Sequence, residues 1–247
     1  MLSHSLARFS ASLPSSIKYR LATIRPAYNA LLRLGQPLVE ARTIGGPVKW
    51  RIDELSSQQY LLGTYEPYMQ EAFAKFVRSG ATVYDVGAHA GYHSLLCGLL
   101  VGPSGRVVAF EPNPKNRKSI ERQLLANPGV PVSISPYALS DTHGTVQLDT
   151  SNGSSQGRVS DKGDCQVEAR TIDYLVEHEK LPGPDVMKID VEGHELNVLL
   201  GAVATIRAHR PIILCDPNDE TTAGAVAELL GDLGYRVGGN LPIICQP

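Results

Sequence analysis

The stretch "VYDVGAHAGYHS", residues 83–94, decides the fold. It opens with β-forming residues, carries an acid at Asp85, and turns through Gly87 and Gly91, four positions apart. The next segment, "SLLCGLLVG", reads as an apolar core helix. A strand that turns through glycines into a helix is the opening unit of a doubly wound sheet. Ligands of such sheets bind in the crevice beyond the carboxyl ends of the strands, and glycine lets the backbone come close to them. The dinucleotide fingerprint GxGxxG is absent because position 89 is His, and the turn has no Walker lysine.

Outward from this unit, strand-like apolar runs recur at 82–86, 106–110, 130–134, 186–190 and 211–215. Helix-period segments lie between most of them, at 114–126 and 193–209 among others. The alternation predicts a parallel sheet with helices on both faces. Upstream, "ARTIGGPVKWRID" predicts a β-hairpin around Gly45 and Gly46, and "LSSQQYLLGTYEPYMQEAFAKFV" predicts helices broken at Gly63 and Pro67. One stretch interrupts the pattern, residues 138–178. It carries a hairpin-like turn at Gly144 and a polar loop, "SNGSSQGRVSDKGD". A loop of that length suits a solvated or locally disordered segment, with a lid or binding loop that offers Arg158 as a fork for a carboxylate or phosphate as the alternative.

Two further motifs carry chemistry. "RVVAFEPNP" is a second strand ending in Glu111, twenty residues after Gly91. A carboxylate at that tip can accept from both hydroxyls of a ribose, and Asn113 stands beside it. "VMKIDVEGHE", residues 186–195, places Lys188, Asp190, Glu192, His194 and Glu195 on or just after a strand that should be buried. Buried charge is costly unless paired or used. By alternation Lys188, Asp190 and Glu192 share a face, so Lys188 is expected to pair with a neighbouring strand-tip acid such as Asp85.

"VYDVGAHAGYHS", "VVAFEPNPKN", "ALSD", "ARTIDYL" and "MKIDVEGHELNVLLGA" together resemble the successive motifs of the FkbM family of S-adenosylmethionine-dependent methyltransferases, with "YLLGTYEP" resembling that family's approach to its first strand. The resemblance covers roughly residues 60–216. It implies a class I methyltransferase fold: an α/β, Rossmann-like, seven-stranded, mostly parallel sheet with helices on both faces and an N-terminal extension. It implies S-adenosyl-L-methionine as cofactor and small-molecule O-methylation as activity. Matched position by position, Asp85, Gly87 and Gly91 correspond to the cofactor loop, Glu111 to the ribose-binding acid, Ala138 and Leu139 to the stretch near the adenine, and Asp190 to the position beside the transferred methyl. Ala88 in the turn and Asn113 after Glu111 are further candidate cofactor contacts. Two positions depart from the family's usual residues: His89 replaces a commoner asparagine, and Asp216 in "ILCDPND" a commoner glutamate.

Methyl transfer from a sulfonium gains most from positioning, while a weakly acidic hydroxyl needs help losing its proton. Asp190, Glu192, His194 and Glu195 are the candidates for that work. No metal ligand set is assigned. His89 and His93, four apart, would share a face on one helical turn but lack flanking carboxylates, and oxygen ligation of a divalent cation by Asp190 and Glu192 is the alternative.

Composition bounds the remainder. The 247 residues are 43% hydrophobic and 19% charged with net charge −2. That suits one globular domain with an appendage, divided as 1–66 and 67–247. Cys97, Cys165, Cys215 and Cys245 have no CxxC or zinc spacing, which favours reduced thiols in a cytoplasmic protein. No run approaches the roughly 18 apolar residues of a membrane span. Residues 1–39 hold five basic and no acidic side chains, and their first sixteen are serine-rich. The segment reads as a basic arm against an acidic body, with a transit peptide as the alternative. No basic stripe with interleaved aromatics points to nucleic acid, and nothing signals an oligomeric state. The leading reading is an O-methyltransferase for a hydroxyl of a saccharide or secondary metabolite. N-methylation and a catalytically silent cofactor-binding partner subunit are the alternatives, the latter disfavoured by the intact acids at 190, 192 and 195. A nucleotide-sugar or nicotinamide enzyme is disfavoured by the missing GxGxxG.

Overall fold

A computed structural model describes residues 37–150, 158–159, 163–239 and 242–247. The expected hairpin is present: β1 (Leu38–Thr43) and β2 (Gly46–Arg51) pair antiparallel with Thr43 opposite Gly46. Thr43 Oγ1 donates to the Gly46 carbonyl and accepts from the Gly45 amide, which closes the turn. Helix α1 (Gln58–Leu62) starts at the Ser57 cap and stops at Gly63, whose φ of 68° ends the helix in the left-handed region. Helix α2 (Pro67–Phe76) begins on a proline, where the missing N–H costs nothing.

The chain continues through β3 (Thr82–Val86), α3 (Tyr92–Val101), β4 (Arg106–Phe110), α4 (Pro114–Ala126), β5 (Val132–Ser135), β6 (Ala138–Leu139), β7 (Gly144–Asp149), β8 (Arg158–Val159) and β9 (Cys165–Arg170). After them come α5 (Ile172–Glu177), β10 (Val186–Ile189), α6 (Glu195–Leu200), α7 (Val203–His209), β11 (Ile212–Cys215), α8 (Glu220–Asp232), β12 (Arg236–Gly238) and β13 (Ile243–Gln246). The main sheet has seven strands in the order β12-β13-β11-β10-β3-β4-β5. β13 pairs antiparallel with both β11 and β12, and the other neighbouring pairs are parallel. The strand order reverses between β3 and β10, so their carboxyl ends open the crevice that such sheets use for ligands.

The sheet is buried on both faces, as parallel sheets require. Tyr84, Val86, Phe110, Ile189 and Ile213 pack with Val198, Leu199, Ile206 and Leu230 on one side. Val83, Val107, Val186 and Leu214 pack with Phe73, Leu96, Cys97 and Val101 on the other. The hairpin and α1 share a third cluster with α3, in which Trp50, Ile52 and Tyr60 meet Tyr92 and Leu95. Gln123 clamps this unit by accepting from the Arg51 amide at 2.8 Å and donating to the Arg51 carbonyl at 2.9 Å.

The structure departs from the sequence expectation in two places. Residues 138–178 hold a second, four-stranded sheet, β6-β9-β7-β8, where a turn at Gly144 and a long loop were expected. Its central legs alternate polar with apolar residues, so that Val146 faces Val167 and Leu148 faces Cys165. The helical segment 193–209 is two helices, parted at Gly201 and Ala202. Gly201 lies so close to the Ser140 carbonyl that a Cβ there would collide with it. The basic arm, most of the polar loop and the side chain of Arg158 lie outside the described residues. Among the described residues no helix is long and apolar enough to cross a membrane.

Candidate active site

The floor of the crevice is Lys188. It sits on β10 beside Asp85 on β3, the two being register partners, and only 2% of it is exposed. Its ammonium lies 3.3 Å from Asp85 Oδ1 and 3.4 Å from Asp190 Oδ2, and donates to the Gly87 carbonyl at 2.9 Å. Burial works against the charge, but Asp85, Asp190 and Glu66 outweigh it and hold the ammonium protonated. The pairing expected from the sequence is therefore present. Asp85 is fully buried and accepts from Ser94 Oγ at 2.5 Å. Through Lys188, which also donates to the Gly87 carbonyl, it is tied to the glycine turn.

Gly87 is required for a reason beyond ligand approach. Its φ is 80°, and a Cβ would run into the Asp190 carbonyl, so only glycine lets the tips of β3 and β10 close together. Glu111, at the tip of β4, accepts from the His89 amide at 2.7 Å and from the Asn113 amide at 2.9 Å. Burial pushes its carboxyl up to about 7 against these hydrogen bonds. Asn113 caps α4 by accepting from the Lys115 amide, and its Nδ2 is buried with no partner. Ala88 is buried in the turn, and Gly91 leads into α3 at φ 83° against Ile120. Ala138 and Leu139 are buried in β6, ahead of Ser140.

The walls are aromatic and were not assigned from sequence. A cleft at the switch point is lined by Tyr65, Tyr92, His89 and His93 above Lys188 and Asp190. Tyr60 stacks on Tyr92 at 4.6 Å, and Tyr65 meets Tyr92 edge-on at 5.5 Å. Gln70 of α2 holds the loop that supplies Tyr65, donating to the Tyr65 and Gly63 carbonyls and accepting from the Ile44 amide. Tyr60 and Tyr65 in "YLLGTYEPY" are the available signal. His89 and His93 are not on one helical turn, because α3 begins at Tyr92 and His89 sits in the preceding turn at φ 52°. Burial lowers His89 to about 4 and His93 to about 3, so both imidazoles are neutral. Among the described residues no three His, Cys, Asp or Glu side chains gather as a metal-holding group.

The acids after β10 divide. Asp190 lines the cleft. Glu192 lies past the strand at φ 56°, so alternation no longer sets its direction. Its carboxylate accepts from Asn218 Nδ2 at 3.1 Å, and burial with Asp190 nearby raises its pKa. Glu195 is fully buried, and its Oε1 accepts from the Val191 and Gly193 amides. A carboxylate so placed clamps the turn that follows β10. His194 Nε2 lies 3.0 Å from Ser140 Oγ, tying α6 to the strand of Ala138 and Leu139. Glu192, His194 and Glu195 all lie outside the residues that line the cleft.

This strand order, a glycine turn at the switch point and an acid at the tip of β4 define a class I S-adenosylmethionine-dependent methyltransferase. The model of the methyltransferase FkbM domain matches residues 85–237, and the chain belongs to that family. It is 30% identical over 187 residues to the hexuronic acid methyltransferase AglP of Haloferax volcanii, covering 73% of each chain. The crystal structure of methyltransferase FkbM from Methylobacillus flagellatus shares the fold, with TM-score 0.50 and 17% identity over 92% of this chain and 59% of that one. The methyl donor is S-adenosylmethionine. The residues present fit it, since the buried Glu111 carboxylate and the unpartnered Asn113 Nδ2 stand at the tip of β4 beside the glycine turn. When bound, the donor supplies an activated methyl group on a sulfonium.

Proposed function

We propose that this protein methylates a hydroxyl of a saccharide or saccharide-like small molecule. The observation that carries the proposal is the cleft itself, with tyrosine rings on one side and Asp190 over Lys188 on the other. Tyr65, the partly exposed ring, backed by the buried Tyr60 and Tyr92, offers an apolar surface to the C–H side of a sugar ring, while carboxylates accept from its hydroxyls. The similarity to a methyltransferase named for hexuronic acid supports the same class of acceptor. Within this reading Glu111 and Asn113 hold the ribose, Gly87, Ala88 and Gly91 give the donor room, and Ala138 and Leu139 border the adenine. Asp190 and Glu192 orient the acceptor, and His194 and Glu195 hold the turn that carries them. Holding reactants at attack distance contributes roughly 7–11 kcal/mol to such reactions. The four free cysteines, three of them buried, support a reducing, cytoplasmic setting.

The test is transfer of a labelled methyl group from S-adenosylmethionine to p-nitrophenyl glycosides, both neutral and uronic, with S-adenosylhomocysteine and NAD titrated by calorimetry. Micromolar S-adenosylhomocysteine binding, no NAD binding and label in an alkali-stable ether are expected. Label found only in amine acceptors, or donor binding with no turnover on any acceptor, overturns the hydroxyl assignment.

A further inference from the structure

Glu66 stands just ahead of α2 in an unusual state. Its φ is 40° and ψ 64°, although it precedes a proline, which disfavours helical conformations in either hand. Among the described residues only five non-glycines have positive φ. Of these His89 lines the cleft, and Glu66 and Glu192 both lie within electrostatic reach of Asp190, which lines it too. Backbone strain that persists costs stability and concentrates where function needs it.

The side chain is equally unusual. Glu66 Oε2 is buried without a hydrogen-bond partner, yet the side chain as a whole is 32% exposed. The nearest cationic candidate, His93 Nε2, is 3.7 Å away and also without a partner. His93 is 5% exposed and lines the cleft, its ring enclosed by Tyr65, Phe73 and Tyr92. Lys188 is engaged by Asp85 and Asp190. Glu66 is thus a carboxylate with no charged cationic partner, hydrogen-bonded by Tyr65 and set against His93, two residues that line the cleft.

We infer that Glu66 is the catalytic base that takes the proton of the acceptor hydroxyl. The inference rests on the hydroxyl reading of the acceptor. The acceptor oxygen bonds to the methyl carbon as the carbon–sulfur bond breaks and its electron pair returns to sulfur, and the hydroxyl proton passes to a Glu66 carboxylate oxygen. The rivals are less suited. His89 and His93 are held neutral at about 4 and about 3, too weakly basic for the task. Asp190 is tied to Lys188, and Glu192 to Asn218. The groups facing Glu66 are Tyr65 in its own loop, His93 of α3, Lys188 and Asp190 of β10, and Asp216 beyond β11. Burial and Asp190 together bring Glu66 to about 8, opposed by Lys188, close to where a general base is most effective.

The test compares wild type, Glu66→Gln and Glu66→Asp on whichever p-nitrophenyl glycoside wild type methylates. Glu66→Gln should lower kcat by about 10²–10⁴ with S-adenosylhomocysteine affinity unchanged. The wild-type rate should rise with pH through about 8, and that limb should vanish in Glu66→Gln and persist, shifted, in Glu66→Asp. Unchanged S-adenosylhomocysteine binding by both variants shows that they fold. Wild-type kcat in Glu66→Gln overturns the inference while leaving the hydroxyl reading intact, as does loss confined to donor affinity. If wild type labels only the carboxylate of the uronic glycoside, giving an alkali-labile ester, the hydroxyl reading fails and the base with it, because a carboxylate acceptor has no proton to lose.

Discussion

At the scale of single residues the site is governed by one cation among carboxylates. Replacing Lys188 by Met would leave Asp85, fully buried, without its counter-charge. Breaking a buried pair in this way costs about 3–5 kcal/mol, and the expected loss is read from the midpoint of urea unfolding. Glu111 gives a pH prediction. Its folded pKa of about 7 exceeds the ordinary 4.5, so its contribution to the stability of the unliganded fold is complete below that ordinary value and is lost as pH rises through about 7. In the proposed ribose-binding role of Glu111, the hydroxyls donate to the ionised form. S-adenosylhomocysteine affinity should therefore fall about tenfold from about pH 8 to about pH 6, and Glu111→Gln should flatten the curve. Asp85 with Lys188 was legible in the sequence because both end adjacent strands. Glu66 was not, since its strain and its neighbours arise only when distant segments meet.

At the scale of elements, period and punctuation carried the reading. Helix α4 falls at the expected 114–126, opened by a proline and capped by Asn113. The core strands appear because continuous β-branched runs have nowhere else to bury. The small sheet of β6 to β9 was illegible because its legs are half polar and one face lies open, so composition resembled a loop. The division of α6 from α7 was equally hidden, being set by the backbone of Ser140 across the fold. Propensity alone says Gly201→Ala stabilises a helix by up to about 1 kcal/mol. The collision with the Ser140 carbonyl predicts the opposite, a loss of about 1–3 kcal/mol in chemical unfolding.

For the whole molecule, the hairpin and α1 bind to the sheet domain through Trp50, which is fully buried between Tyr60 and Tyr92. Trp50→Ala should cost about 3–5 kcal/mol. It should weaken acceptor binding more than donor binding, seen as a KM rise for the glycoside at unchanged S-adenosylhomocysteine affinity. The sheet domain's architecture was readable from five strand runs, whereas this docking was not, because aromatic contacts between segments leave no periodic trace. The cleft is thus assembled from two sources: its floor belongs to β3 and β10, while Tyr60 and Tyr65 come from the chain ahead of the sheet. Such a division of labour makes acceptor choice separable from donor grip. A graft of residues 58–66 alone is then a route to new selectivity in which the half that holds the methyl source never has to be relearned.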